Sequence, residues 1–240
     1  MSRLLCTSVL LSVLFLSGCA GQRQSQLIDG ELQTITKENL QYYLYYPKDY
    51  ELRKSEDFGL LLFLHGGGES GAELEEIKKN GPPKLLVEGK EFPFLVLAPQ
   101  NPHKRKWWNI HAVNQLLNEI VETNRVDPKR IYLTGLSRGG SAAWDLAVQY
   151  PDKWAALAVV CGMTPVPYAH WIDKKLPIWV FHGDQDKVIS VEESDEMVAK
   201  LKEMGYEVKY TRYKGVGHNS WTQAYTTDAL YEWMAKQKQD

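Results

Sequence analysis

Residues 131–144 read IYLTGLSRGGSAAW, and this stretch decides the fold. A β-branched and aromatic run stops at Gly135, a single serine follows between glycines, and helix-forming residues come next. That order predicts a strand, a sharp turn and a helix, with Ser137 on the turn. Gly135 and Gly139 stand two positions on either side of the serine, where only small residues let the turn be tight enough to expose its oxygen. Ser137 is therefore the predicted nucleophile.

The rest of the chain alternates between predicted strands and helices. Five apolar runs predict buried strands, and they lie within residues 58–68, 92–100, 130–135, 154–162 and 176–183. Two further strands are predicted within 40–50, where the pattern favours an antiparallel edge, and within 206–214. Helical spacing marks residues 112–126, 139–151, 190–205 and 220–237, with Ser190 placed to cap the third of these helices and Gly205 to end it. Repeated β-α units predict an α/β fold with a mainly parallel sheet and helices on both faces.

A serine nucleophile needs a histidine base and an acid that orients it. Where the serine stands on such a turn between a strand and a helix, the chain order is nucleophile, acid, histidine. Asp184 and Asp186 come just after a predicted strand, and only His218 lies beyond them in the chain. His218 stands in a glycine-bearing loop, where an imidazole can reach over the sheet. The prediction is a catalytic set of Ser137, His218 and one of two acids, Asp184 or Asp186.

The segment LHGGGESG, residues 64–71, predicts an oxyanion-binding loop after the first buried strand. Glycines allow the backbone to come close to a substrate, so that amide N–H groups face the developing negative charge. Gly67 is the first choice for one donor and Gly68 the second, while the backbone of Arg138 supplies the other. His65 and His182, each before a glycine at a strand end, are predicted to be structural hydrogen-bonding residues.

These motifs, together with LAPQNPHKRKWW, FHGDQDKVI and GHNSW, resemble the α/β-hydrolase superfamily over residues 41–240. The resemblance is nearest to serine esterases of the dienelactone-hydrolase, prolyl-oligopeptidase-like and feruloyl/acetyl esterase branch. It implies an α/β-hydrolase fold with a mostly parallel sheet of the eight-stranded type and no large lid. The pattern H-G-x-x-D-x-x-V of such proteins places the acid at Asp186.

The first residues predict export rather than fold. Residues 1–18 carry Arg3 and then an apolar run that ends in small residues, as signal peptides do. Leu16-Ser17-Gly18-Cys19 resembles a bacterial lipobox, which implies lipid on Cys19 and a place in the cell envelope, at the outer membrane or the cell surface. Residues 19–29 are then a polar tether, and residues 30–240 the hydrolase domain.

The function predicted from these residues is hydrolysis of small or short-acyl carboxylic esters, with acetyl or feruloyl esters of plant polysaccharides as candidates. Trp108 and Trp221 are predicted to contact substrate, because aromatic rings near the catalytic groups suit sugars and phenolic acids. The alternatives are a peptidase of the prolyl-oligopeptidase type and a lipid-anchored binding protein without catalysis.

Composition adds expectations about partners. The near-neutral net charge of −2, without a basic tract, gives no support for nucleic-acid binding. Spacing typical of a metal site is missing from the sequence, so no metal and no cofactor are predicted. Membrane contact is expected through the N-terminal lipid only, and Cys161 is predicted to be a buried apolar residue.

Overall fold

Eight strands form one sheet in the part of the chain that the structure, a computed structural model, describes, which is residues 26–33 and 38–240. In chain order the strands are β1 (Gln26–Gln33), β2 (Asn39–Tyr46), β3 (Phe58–Leu64), β4 (Leu95–Pro99), β5 (Val126–Leu136), β6 (Ala156–Val160), β7 (Ile178–Gly183) and β8 (Val208–Tyr213). The helices are α1 (Gly81–Val87), α2 (Ile110–Thr123), α3 (Arg138–Gln149), α4 (Val191–Glu203), α5 (Trp221–Thr226) and α6 (Asp228–Ala235). Short 3-10 turns cover Leu74–Lys79, Pro151–Lys153, Val166–His170 and His218–Ser220.

The strands lie side by side in the order β1-β2-β4-β3-β5-β6-β7-β8. Strand β2 pairs antiparallel with both β1 and β4, and all pairs from β4 to β8 are parallel. The carboxyl ends of the parallel strands therefore meet at one edge of the sheet, where ligands of open α/β folds bind. The predicted α/β-hydrolase fold, with its mostly parallel sheet, is confirmed.

Helices cover both faces of the sheet, as predicted. Helices α2, α3 and α4 pack over one core cluster, and α1, α5 and α6 pack over the other. Strands β3, β4 and β6 are buried along their whole length, because apolar side chains of both orientations meet a layer of helices.

The sequence predicted the start, the end and the continuity of helices in the second half of the chain, and only one of these three predictions is confirmed. Gly205 follows the last turn of α4 with a φ of 82°, a left-handed conformation that suits glycine, so the predicted stop is confirmed. Ser190 is the residue before α4, but its hydroxyl makes no capping bond and donates instead to the Glu192 carboxylate. The predicted last helix is two helices, since Thr227 has an extended backbone between α5 and α6.

Two elements escaped the sequence pattern. Strand β1 begins at Gln26, inside the predicted tether, and is a largely exposed edge strand with a polar sequence. Helix α1 begins at Gly81, which has a φ of 65° and is followed by two prolines. Prolines are tolerated in the first turn of a helix, although in a sequence they suggest a loop.

No helix within residues 26–33 and 38–240 is long and apolar enough to cross a membrane.

Candidate active site

Ser137 occupies a strained turn between β5 and α3. Its φ of 52° and ψ of −120° are unfavourable for a residue with a side chain. A Cβ on Gly135 would lie 2.2 Å from the Gly139 carbonyl oxygen, and one on Gly139 would lie 2.0 Å from that of Leu64. Both flanking glycines are thus required by close backbone contact, which is the steric reason for the G-x-S-x-G pattern.

The structure brings Ser137, His218 and Asp186 into one hydrogen-bonded line. The Ser137 hydroxyl lies 2.9 Å from His218 Nε2, and His218 Nδ1 lies 2.7 Å from Asp186 Oδ2. Asp186 follows β7 and His218 follows β8, so both reach the edge where β5 ends. The His218 side chain is 20% exposed and that of Asp186 is fully buried. The imidazole is placed to take a proton from the serine while the carboxylate orients it.

Asp186 accepts hydrogen bonds on both oxygens. Oδ1 receives the amides of Val188 at 2.8 Å and Ile189 at 3.0 Å, and Oδ2 receives His218. Desolvation alone would raise the pKa of Asp186, but the bonds from His218 and the two amides outweigh it, so the pKa lies below its ordinary value. The alternative acid, Asp184, is engaged elsewhere, because its Oδ1 accepts the amide of Gly215 at 2.7 Å.

His182 adds a second imidazole beside Asp186. Its Nε2 lies 3.2 Å from Asp186 Oδ2 and 3.0 Å from the Ile189 carbonyl oxygen. Since a carbonyl oxygen only accepts, Nε2 carries the hydrogen, and Nδ1 faces the Ser194 hydroxyl at 2.7 Å. The predicted structural role of His182 therefore has a specific target, the carboxylate of Asp186.

The predicted oxyanion loop lies against the start of α3. The amide of Arg138 is the first of that helix, where a helix has no internal acceptor for its N–H groups. A Cβ on Gly67 would lie 2.8 Å from the Arg138 guanidinium, whereas one on Gly68 would meet nothing within 4 Å. The choice between Gly67 and Gly68 as donor stays a prediction.

The Arg138 side chain has a role that sequence reasoning did not foresee. Its guanidinium donates to the carbonyl oxygens of Lys104 at 3.0 Å and Lys106 at 3.2 Å, and it lies over Gly67. One side chain therefore joins the serine turn to the glycine loop and to the loop before α2. Its partners lie more than 30 positions away in the chain, so no local pattern could have indicated them.

His65 is structural, as predicted. Its side chain is fully buried, Nε2 accepts the amide of Asn101 at 3.0 Å, and Nδ1 donates to the Gly66 carbonyl oxygen at 2.7 Å. Burial lowers the pKa of His65, because desolvation disfavours the charged form.

The two tryptophans predicted to contact substrate hold other parts of the structure. Trp108 is only 5% exposed and donates to the His65 carbonyl oxygen at 3.3 Å, which anchors the loop to the core. The indole N–H of Trp221 donates to Asn80 Oδ1 at 3.0 Å, and its ring stands edge-on to the His218 ring at 5.2 Å. The neighbour Trp107 is more exposed, at 48%. A substrate contact of Trp221, whose ring lies beside that of His218, stays a prediction.

Cys161 is fully buried, as predicted, but its place is unexpected. Its sulfur and the ligand atoms of Asp186 and His218 all lie within 4.8 Å of one another. Burial raises the pKa of the Cys161 thiol to about 12, so the sulfur keeps its proton at neutral pH. Metal binding there would have to displace that proton and the bond between His218 and Asp186, so we interpret the thiol as a packing group behind the site.

The fold and this line of serine, histidine and aspartate define an α/β-hydrolase of the serine esterase class. The model of the dienelactone hydrolase family matches residues 103–238, and the chain belongs to that family. It is an enzyme of the carboxylic ester hydrolase type.

The relatives agree with this assignment. The chain is 30% identical over 197 residues to carboxylesterase SOBER1 of Arabidopsis thaliana, a match that covers 66% of this chain and 82% of the relative. A solved structure described as a thermostable esterase superposes with a TM-score of 0.79 at 30% identity, over 89% of this chain and 63% of that one. A structure described as a ferulic acid esterase gives a TM-score of 0.71 at 18% identity, over 90% and 99%, which supports the fold alone.

Proposed function

We propose that the chain hydrolyses carboxylic esters with Ser137 as nucleophile, His218 as base and Asp186 as the acid that orients it. The observation that carries this proposal is the hydrogen-bonded line from Ser137 Oγ through the His218 ring to Asp186 Oδ2.

The reaction proceeds in two halves. Ser137 Oγ attacks the acyl carbon while His218 Nε2 takes its proton, and the amides of Gly67 and Arg138 stabilise the oxyanion. His218 then gives the proton to the leaving alcohol, which departs and leaves an acyl-serine. A water molecule, deprotonated by His218, attacks this ester, and the acid is released as the Ser137 hydroxyl regains its proton.

For the substrate we propose small soluble esters with short acyl chains, or acetyl and hydroxycinnamoyl groups carried by plant polysaccharide fragments. Support comes from a groove of about 440 Å³ beside the serine helix, bordered by the exposed side chains of Trp107 and Met163. Aromatic rings at such a surface suit sugars and phenolic acids. No feature of the described residues favours a peptide substrate over an ester.

The nucleophile is tested with the variant Ser137→Ala. We expect kcat to fall roughly 10³-fold or more while the fold persists, and labelling by a fluorophosphonate probe to be lost. The exposed Ser190, before α4, provides the control, and Ser190→Ala should label and turn over like the wild type. Wild-type turnover by a correctly folded Ser137→Ala protein would contradict the assignment.

The substrate class is tested with p-nitrophenyl esters of increasing acyl length, methyl ferulate and acetylated xylo-oligosaccharides. A higher kcat/KM for acetyl, butyryl or feruloyl esters is expected. Preference for acyl chains of about ten carbons or longer would exclude the small-ester proposal, because such chains need a deep apolar tunnel.

A further inference from the structure

Glu69 is a buried carboxylate in the predicted oxyanion loop, and the mechanism above does not use it. It is only 5% exposed and, within residues 26–33 and 38–240, it forms no ion pair. Its Oε2 lies 3.2 Å from the place that a Cβ on Gly66 would take, and that place is 3.6 Å from the Ser137 Cβ. A buried carboxylate is costly unless hydrogen bonds stabilise it, so its partner indicates its role.

The partner of the Glu69 carboxylate is the side-chain amide of Asn80. Asn80 Nδ2 donates to Glu69 Oε1 at 2.5 Å, and Asn80 Oδ1 accepts the indole N–H of Trp221 at 3.0 Å. An ionised carboxylate only accepts and an indole N–H only donates, so these two neighbours fix the orientation of the amide. One side chain therefore links the oxyanion loop to the start of α5.

The sequence after Asn80 leaves its side chain available for this link. Asn80 is the residue before α1, where an asparagine usually accepts a backbone N–H from the second or third residue of the helix. Those residues are Pro82 and Pro83, which have no N–H, and the Asn80 side chain makes no capping bond. Its contribution is therefore made through Glu69 and Trp221 and not through the helix.

Trp221 extends the contact to the imidazole of His218. The two rings are perpendicular, with centroids 5.2 Å apart, which is a favoured arrangement of aromatic rings. His218 is thus held at two places, at Nδ1 by Asp186 and at the ring by Trp221. A single hydrogen bond to Nδ1 leaves the ring plane free to tilt, and the packing of Trp221 restricts that tilt.

The tilt of the His218 ring matters because Nε2 has two tasks in the proposed reaction. It takes the proton of the Ser137 hydroxyl, which lies 2.9 Å away, and then gives it to the leaving oxygen. A misplacement of about 1 Å can lower the rate by roughly 10²-fold. A link between the base and the oxyanion loop keeps both groups in register with the same acyl carbon.

We propose that Glu69, Asn80 and Trp221 form a positioning chain that sets the His218 ring relative to the oxyanion loop. None of the three takes or gives a proton, and each acts through the next. The proposal rests on the proposed function, because it assigns these residues to the chemistry of Ser137. Its central link is the hydrogen bond between Asn80 Oδ1 and the indole N–H of Trp221.

The first test is Trp221→Phe, which keeps a ring beside His218 and removes the bond to Asn80. We expect kcat and kcat/KM for p-nitrophenyl acetate to fall by the same factor, roughly tenfold, as is typical when a buried acceptor loses its donor. An equal fall in both indicates a loss in the transition state and not in substrate binding. Titration with a fluorophosphonate counts the active sites, so that unfolded protein does not enter kcat.

The matched control for this variant is Trp171→Phe. Trp171 is 58% exposed and follows the turn Val166–His170, so the same substitution there should leave the kinetics at the wild-type level.

The second test asks whether the residues act as one unit. Asn80→Ala breaks the same bond as Trp221→Phe, so the double variant should fall no further than Asn80→Ala alone. Asn118→Ala, which removes an exposed amide bonded to Lys153, is the control and should turn over like the wild type. If Asn80→Ala does not fold, Trp221→Phe and the exchange described next decide the question.

The third test exchanges the amide and the carboxylate. Asn80→Asp sets a second carboxylate against Glu69 and should lower kcat roughly tenfold or more. With Glu69→Gln added, the amide at position 69 can donate to the carboxylate at position 80, which still accepts the N–H of Trp221. This combined variant should recover most of the lost kcat. A merely space-filling role predicts no loss in Asn80→Asp, because the size of the side chain is unchanged.

Each contrary outcome has a distinct meaning. Unchanged kcat in Trp221→Phe, losses that multiply in the double variant, or an exchange that is no better than Asn80→Asp would each overturn the positioning chain. A raised KM with unchanged kcat in Trp221→Phe would also overturn it and would assign that ring to substrate binding. If fluorophosphonate labels Ser137 in the wild type, the proposed esterase function stands in all of these cases. Absence of labelling in the folded wild type would reject the proposed function itself.

Discussion

At the scale of single residues, hydrogen-bond donors distinguish two aspartates that stand two positions apart. Asp186 is reached by His218, His182 and two backbone amides, while Asp184 accepts the amide of Gly215 in a loop. From the sequence, either aspartate could be the acid. In the structure only Asp186 accepts a hydrogen bond from His218, whereas Asp184 holds a loop through Gly215.

This difference predicts the effect of two matched amide substitutions. Asp186→Asn should lower kcat by roughly 10³-fold or more, because an amide no longer stabilises the imidazolium or fixes its tautomer. Asp184→Asn keeps an oxygen for Gly215 and should retain most of the activity. Steady-state kinetics on p-nitrophenyl acetate will compare them, and the reverse ranking would transfer the role of the acid to Asp184.

The pKa of Asp186 also predicts a dependence of stability on pH. Its value in the folded state lies below that of an unfolded aspartate, about 3.9, so the unfolded chain binds the proton more readily. The stabilising contribution is therefore complete above about pH 3.9 and is lost as the pH falls through the lower folded value. Urea unfolding of the wild type and Asp186→Asn from pH 2 to 7 will measure it.

The difference between these two free energies of unfolding should shrink on acidification and stay constant at neutral pH. A difference that grows as the pH falls would contradict the assigned direction of the pKa shift.

At the scale of elements, the turn between β5 and α3 depends on close contact between backbones. A Cβ at Gly139 would lie 2.0 Å from the Leu64 carbonyl oxygen, so β3 and the start of α3 touch without a side chain between them. The predicted helix at 220–237 shows that a sequence pattern can also mislead. Its apolar residues keep helical spacing across Thr227, but the extended backbone of Thr227 separates α5 from α6.

We therefore expect Gly139→Ala to lower the free energy of unfolding by about 3 kcal/mol or more, because the carbonyl oxygens it meets belong to a central strand. Gly68→Ala is the matched control, since a Cβ there meets nothing within 4 Å and the backbone is not left-handed. Denaturant unfolding followed by circular dichroism will compare the two. Equal stability of both variants would show that the serine turn tolerates a methyl group.

At the scale of the whole molecule, the sheet separates the N-terminal end from the catalytic edge. Strand β1 runs antiparallel to β2, which runs antiparallel to β4, so β1 and β4 point the same way. Gln26 therefore lies at the edge where the parallel strands begin, and Ser137, Asp186 and His218 lie where they end. A tether attached at Gln26 therefore meets the molecule at the edge of the sheet opposite the one that carries the catalytic residues.

We propose that the mature chain is anchored by lipid on Cys19, and the position of Gln26 then directs the site away from the membrane. This residue lies outside the described residues, and the proposal rests on Leu16-Ser17-Gly18-Cys19. Mass spectrometry of protein made in a bacterial host should show cleavage between Gly18 and Cys19 and a diacylglyceryl group on the sulfur. Cys19→Ser should abolish both, and cleavage at another position in the wild type would refute the anchor.

The sequence by itself determined the alternation of strands and helices, the serine turn and the order of nucleophile, acid and histidine. Apolar runs specify strands that are buried on both faces, and the glycines beside Ser137 specify a turn that steric contact allows no other residue to make. In parallel strands such signals also imply a shared edge, so one stretch of sequence and two later loops were enough to predict Ser137 and His218 and to narrow the acid to Asp184 or Asp186.

Only the tertiary structure decided which side chains surround these three. Trp107 and Trp108 are neighbours in the chain, yet Trp107 borders the groove with Asp145, whereas Trp108 is buried beneath His65. Strand β1 likewise takes its conformation from hydrogen bonds to β2 and not from an apolar pattern of its own. Periodicity reports which face of an element is buried, but the partner of each side chain depends on the packing of segments that are distant in sequence.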